Sequence, residues 1–251
     1  MQLIENPQGN YRFLTGIAPY SAGVVALPGY EIARVTLHTP LPYRQGFALI
    51  DRQLQAQGRP RQALCAVELR LPKPLSFAGF GEFNQGYRAL LAEWQILIGE
   101  HNPVARTNIA PAVQPPAEPS LYAFSYTIPS TTDRPTFIVA GAGDLRDQAD
   151  LSPTAVVRPG ETSAQALREK AHCVMGVMQE RLTGLQMDWS NVTAIDLYTT
   201  QPVHPFLRQE ILNVIGPAAT HGVHWYYSHP PIADLAFEMD LRGVRQELNT
   251  F

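Results

Sequence analysis

Several absences bound this chain before any motif is read. Its 251 residues contain two cysteines, Cys65 and Cys173, far apart in the sequence. A chain this long buries a core that needs neither disulfides nor a structural metal, and both cysteines read as buried thiols of a reducing compartment. Charge of one sign is also missing: the net charge is −3, with no run of like charges. A binder of phosphate backbones normally carries a concentrated basic patch, so no nucleic-acid partner is expected. No apolar run is long enough to span a bilayer. Met1-Gln2-Leu3-Ile4-Glu5 lacks the basic-then-apolar pattern of a signal peptide. The expectation is a cytoplasmic protein with no membrane partner. Its 45% hydrophobic content is that of an ordinary folded domain.

What is present is a pattern that occurs twice. In the first half an amphipathic stretch at 45–57 puts Phe47, Ile50 and Leu54 on one face and stops at Gly58-Arg59-Pro60. Residues 63–71 alternate with a period of two, as a half-buried strand does. Phe80, Phe83, Tyr87, Leu90, Leu91, Trp94 and Ile98 then form one helical stripe. Short strands are expected at 106–110 and 121–127. The polar stretch Pro129–Pro135 reads as a linker, which divides the chain into modules at 1–130 and 131–251. The second half repeats the order. A strand at 137–140 runs into Gly141-Ala142-Gly143, and Thr162 with Gln165 makes a capping box for the next helix. A strand at 192–198, a helix at 205–215 and closing strands at 224–228 and 235–241 follow. Two such modules should pack together, with the helices on one face of each sheet, and the chain should form a closed oligomer.

The residues resemble the Rid (YjgF, L-PSP) family. Thr136–Gly141, the helix bearing Gln165 and Val192–Tyr198 are similar to its strand–helix–strand core. Ile17-Ala18-Pro19-Tyr20-Ser21-Ala22-Gly23 is similar to the family's "iGPYsqgv", Glu82-Phe83-Asn84-Gln85-Gly86-Tyr87 to its "fN.vY" helix, and Pro103-Val104-Ala105-Arg106-Thr107 to its "pARt" element. The resemblance implies an α+β fold of two tandem chorismate-mutase-like modules with mixed sheets. It also implies a trimer with clefts between units, no metal or organic cofactor, and hydrolysis of enamines or imines with release of ammonia. Arg106 then grips the carboxylate of a small-molecule substrate, Tyr20 lies near it, and Thr107, Ala140 and Gly141 complete the binding surface.

The chemistry of these side chains agrees. A guanidinium presents a planar fork that matches a carboxylate. Acid–base work needs a carboxyl or imidazole of tuned pKa. Glu238 matches the family's last-strand glutamate, and His221 falls where the second half would need its arginine. Neither half is complete: Ala140 replaces the family's serine and the glutamine after it is missing. One composite cleft with Arg106 from the first half and Glu238 from the second is therefore expected. Phe83-Asn84-Gln85-Gly86-Tyr87-Arg88 is also similar to a chorismatase motif, which keeps open an enzyme acting on an enol-pyruvyl cyclic acid, as well as a non-catalytic metabolite-binding module. His204, His221, His224 and His229 do not have zinc spacing, since residues three apart on a strand face opposite ways. Gly141-Ala142-Gly143-Asp144 lacks the rest of a phosphate loop and reads as a tight turn.

Overall fold

The structure is a computed structural model and describes residues 1–250. Strands run in chain order as β1 (Leu3–Asn6), β2 (Tyr11–Leu14), β3 (Gly23–Ala26), β4 (Tyr30–Pro42), β5 (Leu64–Arg70), β6 (Ala105–Pro111) and β7 (Ser120–Pro129), followed by β8 (Phe137–Gly143), β9 (Ala194–Tyr198), β10 (His224–Tyr226), β11 (Ser228–His229), β12 (Glu238–Gly243) and β13 (Gln246–Thr250). The long helices are α1 (Tyr43–Ala56), α2 (Phe77–Glu93) and α3 (Ala164–Gly184). Two mixed sheets result. One has the order β1-β2-β3-β8-β12-β9-β10, the other β11-β6-β5-β7-β4-β13. The architecture is the α+β arrangement expected.

The halves on either side of residue 130 each supply most of one sheet, and each lends strands to the other. β1–β3 extend the sheet of the second half through β3–β8 pairing, and β13 runs parallel to β4 in the sheet of the first. The strands β1–β4 lie in the region to which the sequence pattern assigned no strand. β4 is buried without a break from Glu31 to Val35, so no polar-out alternation marks that stretch.

Alternation along the inner strands builds four layers. Val67, Leu69, Phe124 and Tyr126 point to α1 and α2 and form one core with Phe47, Ile50, Leu54, Tyr87 and Leu91. Met239, Leu241, Ile195 and Leu197 point to α3 and meet Leu167, Val174, Met178 and Leu182. Each large apolar side chain buried this way contributes about 1.5–3 kcal/mol. The opposite faces of the two sheets meet each other. There an apolar patch of Phe13, Val24, Cys65, Ala105 and Ala140 adjoins a layer of charged side chains.

Some details differ from expectation. The cap of α3 is Ser163, whose hydroxyl accepts from the Ala166 N–H, rather than Thr162. The helix expected at 205–215 is a three-residue turn, His204–Phe206, that widens into a π turn, Leu207–Leu212. The closing strand expected at 235–241 is β12, which starts at Glu238, and β13 follows it where no strand was expected. Cys65 is buried, but Cys173 is only partly so. Among the described residues no helix is long and apolar enough to cross a membrane.

Candidate active site

Arg106 stands on β6 near an open sheet edge. β6 pairs with β5 along its length, whereas β11 covers only Ala110 and Pro111 on the other side. Arg106 pairs with Val67 and so shares its helix-side face, where its side chain lies against α2 and is 3% exposed. Its Nη2 donates to Asn84 Oδ1 at 2.5 Å. The guanidinium carbon lies 4.5 Å from the ring centre of Tyr87, 4.8 Å from that of Tyr20, 5.6 Å from that of Phe83 and 5.7 Å from that of Phe80. Aromatic faces attract a cation and fix its plane. Burial draws the Arg106 pKa below its usual value, and Tyr87, Tyr20 and Glu238 oppose that pull. Nη1 is buried and has no hydrogen-bond partner among the described residues, and neither does the Tyr87 hydroxyl.

Glu238 opens β12, opposite Gly143 of β8 and Tyr198 of β9. The absence of a side chain at Gly141 makes its position feasible. A Cβ there would run into Glu238 Oε1 and lie 3.0 Å from the Thr107 methyl. Burial pushes the Glu238 carboxyl well above the ordinary carboxylate range. Asp240 adds to the push, and the charges of Arg181 and Arg106 offset it only in part. Burial therefore favours the protonated, uncharged form of this carboxyl. Tyr20 is partly buried beside both arginines, and desolvation raises its pKa in spite of them.

Arg106 and Glu238 line one cleft, together with Tyr20, Phe80, Asn108 and Gly141, and with Leu145, Leu151, Ile232 and Leu235 on the apolar side. About 390 Å³ lies between these atoms, part of it open to solvent. The two halves of the chain thus contribute to a single cleft. A neighbouring hollow shares Tyr20 and Gln148 with it and is lined by Arg146 and Arg181.

The other expected residues lie elsewhere. Ala140 packs in the apolar patch between the sheets, although its carbonyl and that of Gly141 accept from Arg181 Nη1 at 2.8 and 3.2 Å. Thr107 faces the space between the sheets, where it lines one hollow with Asp240. His221 is exposed at the end of the turn Gly216–His221 and does not line the cleft. Sequence reasoning missed Arg181, a buried cation within the apolar stripe of α3, and gave Asn84, Tyr87 and Asn108 no role. The first two had a signal, because the "fN.vY" match contains them. Asn108 had a subtler one, standing two residues after Arg106 on the same strand face.

Behind the cleft, between the sheets, lies the charged layer. Arg34 donates to both Glu68 oxygens at 2.7 and 2.9 Å. Arg242 Nη1 donates to Asp196 at 2.7 Å, and His224 Nδ1 lies 2.8 Å from the other Asp196 oxygen. Tyr198 donates its hydroxyl proton to Asp240 at 3.0 Å. Burial, Asp196 and Glu68 push the Asp240 carboxyl up to about 8. Among the described residues no three His, Cys, Asp or Glu side chains are grouped to hold a metal ion.

Known proteins place this chain in a family. The model of the family described as 2-aminomuconate deaminase CnbZ matches residues 3–248. A 2-amino-5-chloromuconate deaminase of Comamonas testosteroni is 39% identical over 241 residues, covering 95% of each chain. Among solved structures, a chorismatase aligns with 88% of this chain and 77% of its own at 11% identity and a TM-score of 0.49. A putative endoribonuclease of Thermotoga maritima aligns with 44% of this chain and 80% of its own at 16% identity and a TM-score of 0.31. With a family model spanning nearly every residue and a relative aligned end to end, the chain belongs to the CnbZ family of 2-aminomuconate deaminases and is an enzyme of that deaminase kind.

Proposed function

We propose that this enzyme hydrolyses the C–N bond of unsaturated 2-amino diacids of the 2-aminomuconate type, releasing ammonia and a 2-oxo acid in the manner of the Rid-like deaminases its sequence resembles. One observation carries the reading: a buried arginine whose Nη1 has no partner among the described residues shares a cleft with a carboxyl that burial pushes toward its uncharged form. The name of the Comamonas relative supports the substrate class.

Arg106 receives the substrate carboxylate next to the amine-bearing carbon, and its aromatic surround keeps the guanidinium from swinging away. Protonated Glu238 gives its proton to the enamine carbon. The C=C pair takes that proton while the nitrogen lone pair forms C=N. A water molecule adds to the C=N carbon and its proton returns to the Glu238 carboxylate. Glu238 then protonates the nitrogen and the C–N bond breaks as the new hydroxyl gives its proton back to Glu238. One water is consumed, one ammonia leaves, and the carboxyl ends as it began. A carboxyl whose pKa is lifted toward the working pH suits this two-way traffic.

The test is ammonia release from enzymatically generated 2-aminomuconate. Acceleration by the wild type that is lost in Arg106→Ala supports the reading. Loss of binding should show chiefly as a raised KM, with kcat/KM reduced about 100-fold or more, since a buried charged contact is removed. No acceleration over the buffer rate by the wild type refutes it.

A further inference from the structure

The cleft has a second unpaired group beside Arg106. Both ends of the Asn108 side-chain amide are buried without a hydrogen bond among the described residues. Asn108 is 3% exposed and lines the same cleft as Arg106 and Glu238. It leaves the same strand face as Arg106, two residues further along β6. Asparagine is a poor strand former, and burying an amide with neither end paired works against folding. Such a group in a native fold calls for an occupant.

The open valences describe that occupant. Arg106 Nη1 and the amide nitrogen of Asn108 donate, and the amide oxygen accepts. The amide offers one donor end and one acceptor end whichever way round it sits. Two donors suit a carboxylate, and an acceptor close by suits an N–H next to that carboxylate. A 2-amino-2-enoate carries both groups on one carbon. Its 2-oxo product carries a carbonyl oxygen there instead, with no proton to give.

We infer that Asn108 is a specificity-determining residue that reads the amino group of the bound acid. This rests on the deaminase reading above and deepens it. The amide oxygen accepts the substrate N–H while the amide nitrogen shares the carboxylate with Arg106. After hydrolysis the same oxygen faces another oxygen, so the site favours the amino acid over the oxo acid it becomes.

Two unreactive planar probes isolate the contact. Pyrrole-2-carboxylate has an N–H beside its carboxylate, and furan-2-carboxylate has an oxygen in the same place. Calorimetric titration of the wild type should show the pyrrole acid binding about tenfold tighter, the scale of one buried hydrogen bond. Asn108→Leu should narrow the ratio to within about twofold by weakening the pyrrole acid, with a melting temperature at or above that of the wild type because an unpaired group is gone. Asn108→Ala serves if leucine does not fit. Arg106→Ala should weaken both acids and leave the ratio in place. Equal binding of the two acids by the wild type, binding of neither, or a ratio that survives in both Asn108 variants overturns the role of Asn108. In those cases intact ammonia release leaves the deaminase reading standing. A ratio that depends on Asn108 without any ammonia release has the opposite meaning.

Discussion

Four carboxyl groups on β5, β9 and β12 face the space between the two sheets, and they fall into two pairs whose pKa values shift in opposite directions. Glu68 and Asp196 are each gripped by an arginine, Arg34 and Arg242. Burial pushes both carboxyls up, but the charge and hydrogen bonds of Arg34 at Glu68, and those of His224 and Arg242 at Asp196, outweigh it, so both stay below the ordinary range. Glu238 and Asp240 lie on the neighbouring strand at similar depth, without an arginine hydrogen bond among the described residues, and both are pushed up. Depth alone therefore does not set the proton. Directional hydrogen bonds from basic side chains do, from Arg34 at Glu68 and from His224 and Arg242 at Asp196, and β12 has none at its two acids among the described residues. The pair on β12 is the pair pushed toward its protonated form, and Glu238 of that pair lines the cleft, which fits a structural role for the first pair and a chemical role for Glu238.

The largest effect that separates the pairs is on rate. Glu238→Gln keeps the shape of the cleft but removes the transferable proton. Its kcat for ammonia release should fall about 10²–10⁴-fold, the usual share of a general acid–base group, with KM little changed in steady-state assays. A kcat within threefold of wild type would remove Glu238 from the proton traffic. The next effect is on stability. Arg34→Met leaves Glu68 buried without its fork and should cost about 3–5 kcal/mol by denaturant unfolding. Replacing Glu68 with methionine as well should recover most of that loss, because two packed apolar side chains stand in for an ion pair at little cost. A double variant as unstable as the single one would mean that Arg34 acts through Thr36 and Glu247 rather than Glu68.

Much of this contrast was legible in the sequence, and the illegible part has a physical reason. Periodicity located α1, α2, α3 and the strands β5 to β9, because each has one apolar face and one other. Arg106, Tyr20 and Glu238 came from short motifs, and the incompleteness of each half pointed to a shared cleft. Alternation alone cannot place Glu238 and Asp240 in the interior, since a polar strand face reads as solvated when it is covered by a second polar sheet. The same ambiguity hid β4, whose Arg34 is interior. Arg181 gave no warning because one cation in an apolar helical stripe usually reaches water, whereas here it turns to the carbonyls of Ala140 and Gly141.

The smallest expected effect is the most direct reading of the contrast, because it differs in sign between the pairs. Asp240 keeps its proton in the folded protein up to about pH 8, whereas the unfolded chain releases it near the ordinary value of 3.8. Between those values the folded state binds the extra proton, so this group takes stability away as pH rises, and the loss is complete above about 8. Asp240→Asn has no proton to lose and can still accept from the Tyr198 hydroxyl. It should melt near wild type at pH 4 and several degrees higher at pH 9. Glu68 works the other way. Its folded pKa is depressed, so its contribution is present above the ordinary value and fades as pH falls through the depressed one. Glu68→Gln should therefore melt well below wild type at pH 7, with the gap closing only in strong acid. Melting curves from pH 3 to 9 decide it: gaps that run in the same direction for both variants would mean that the arginine contacts do not divide these four acids.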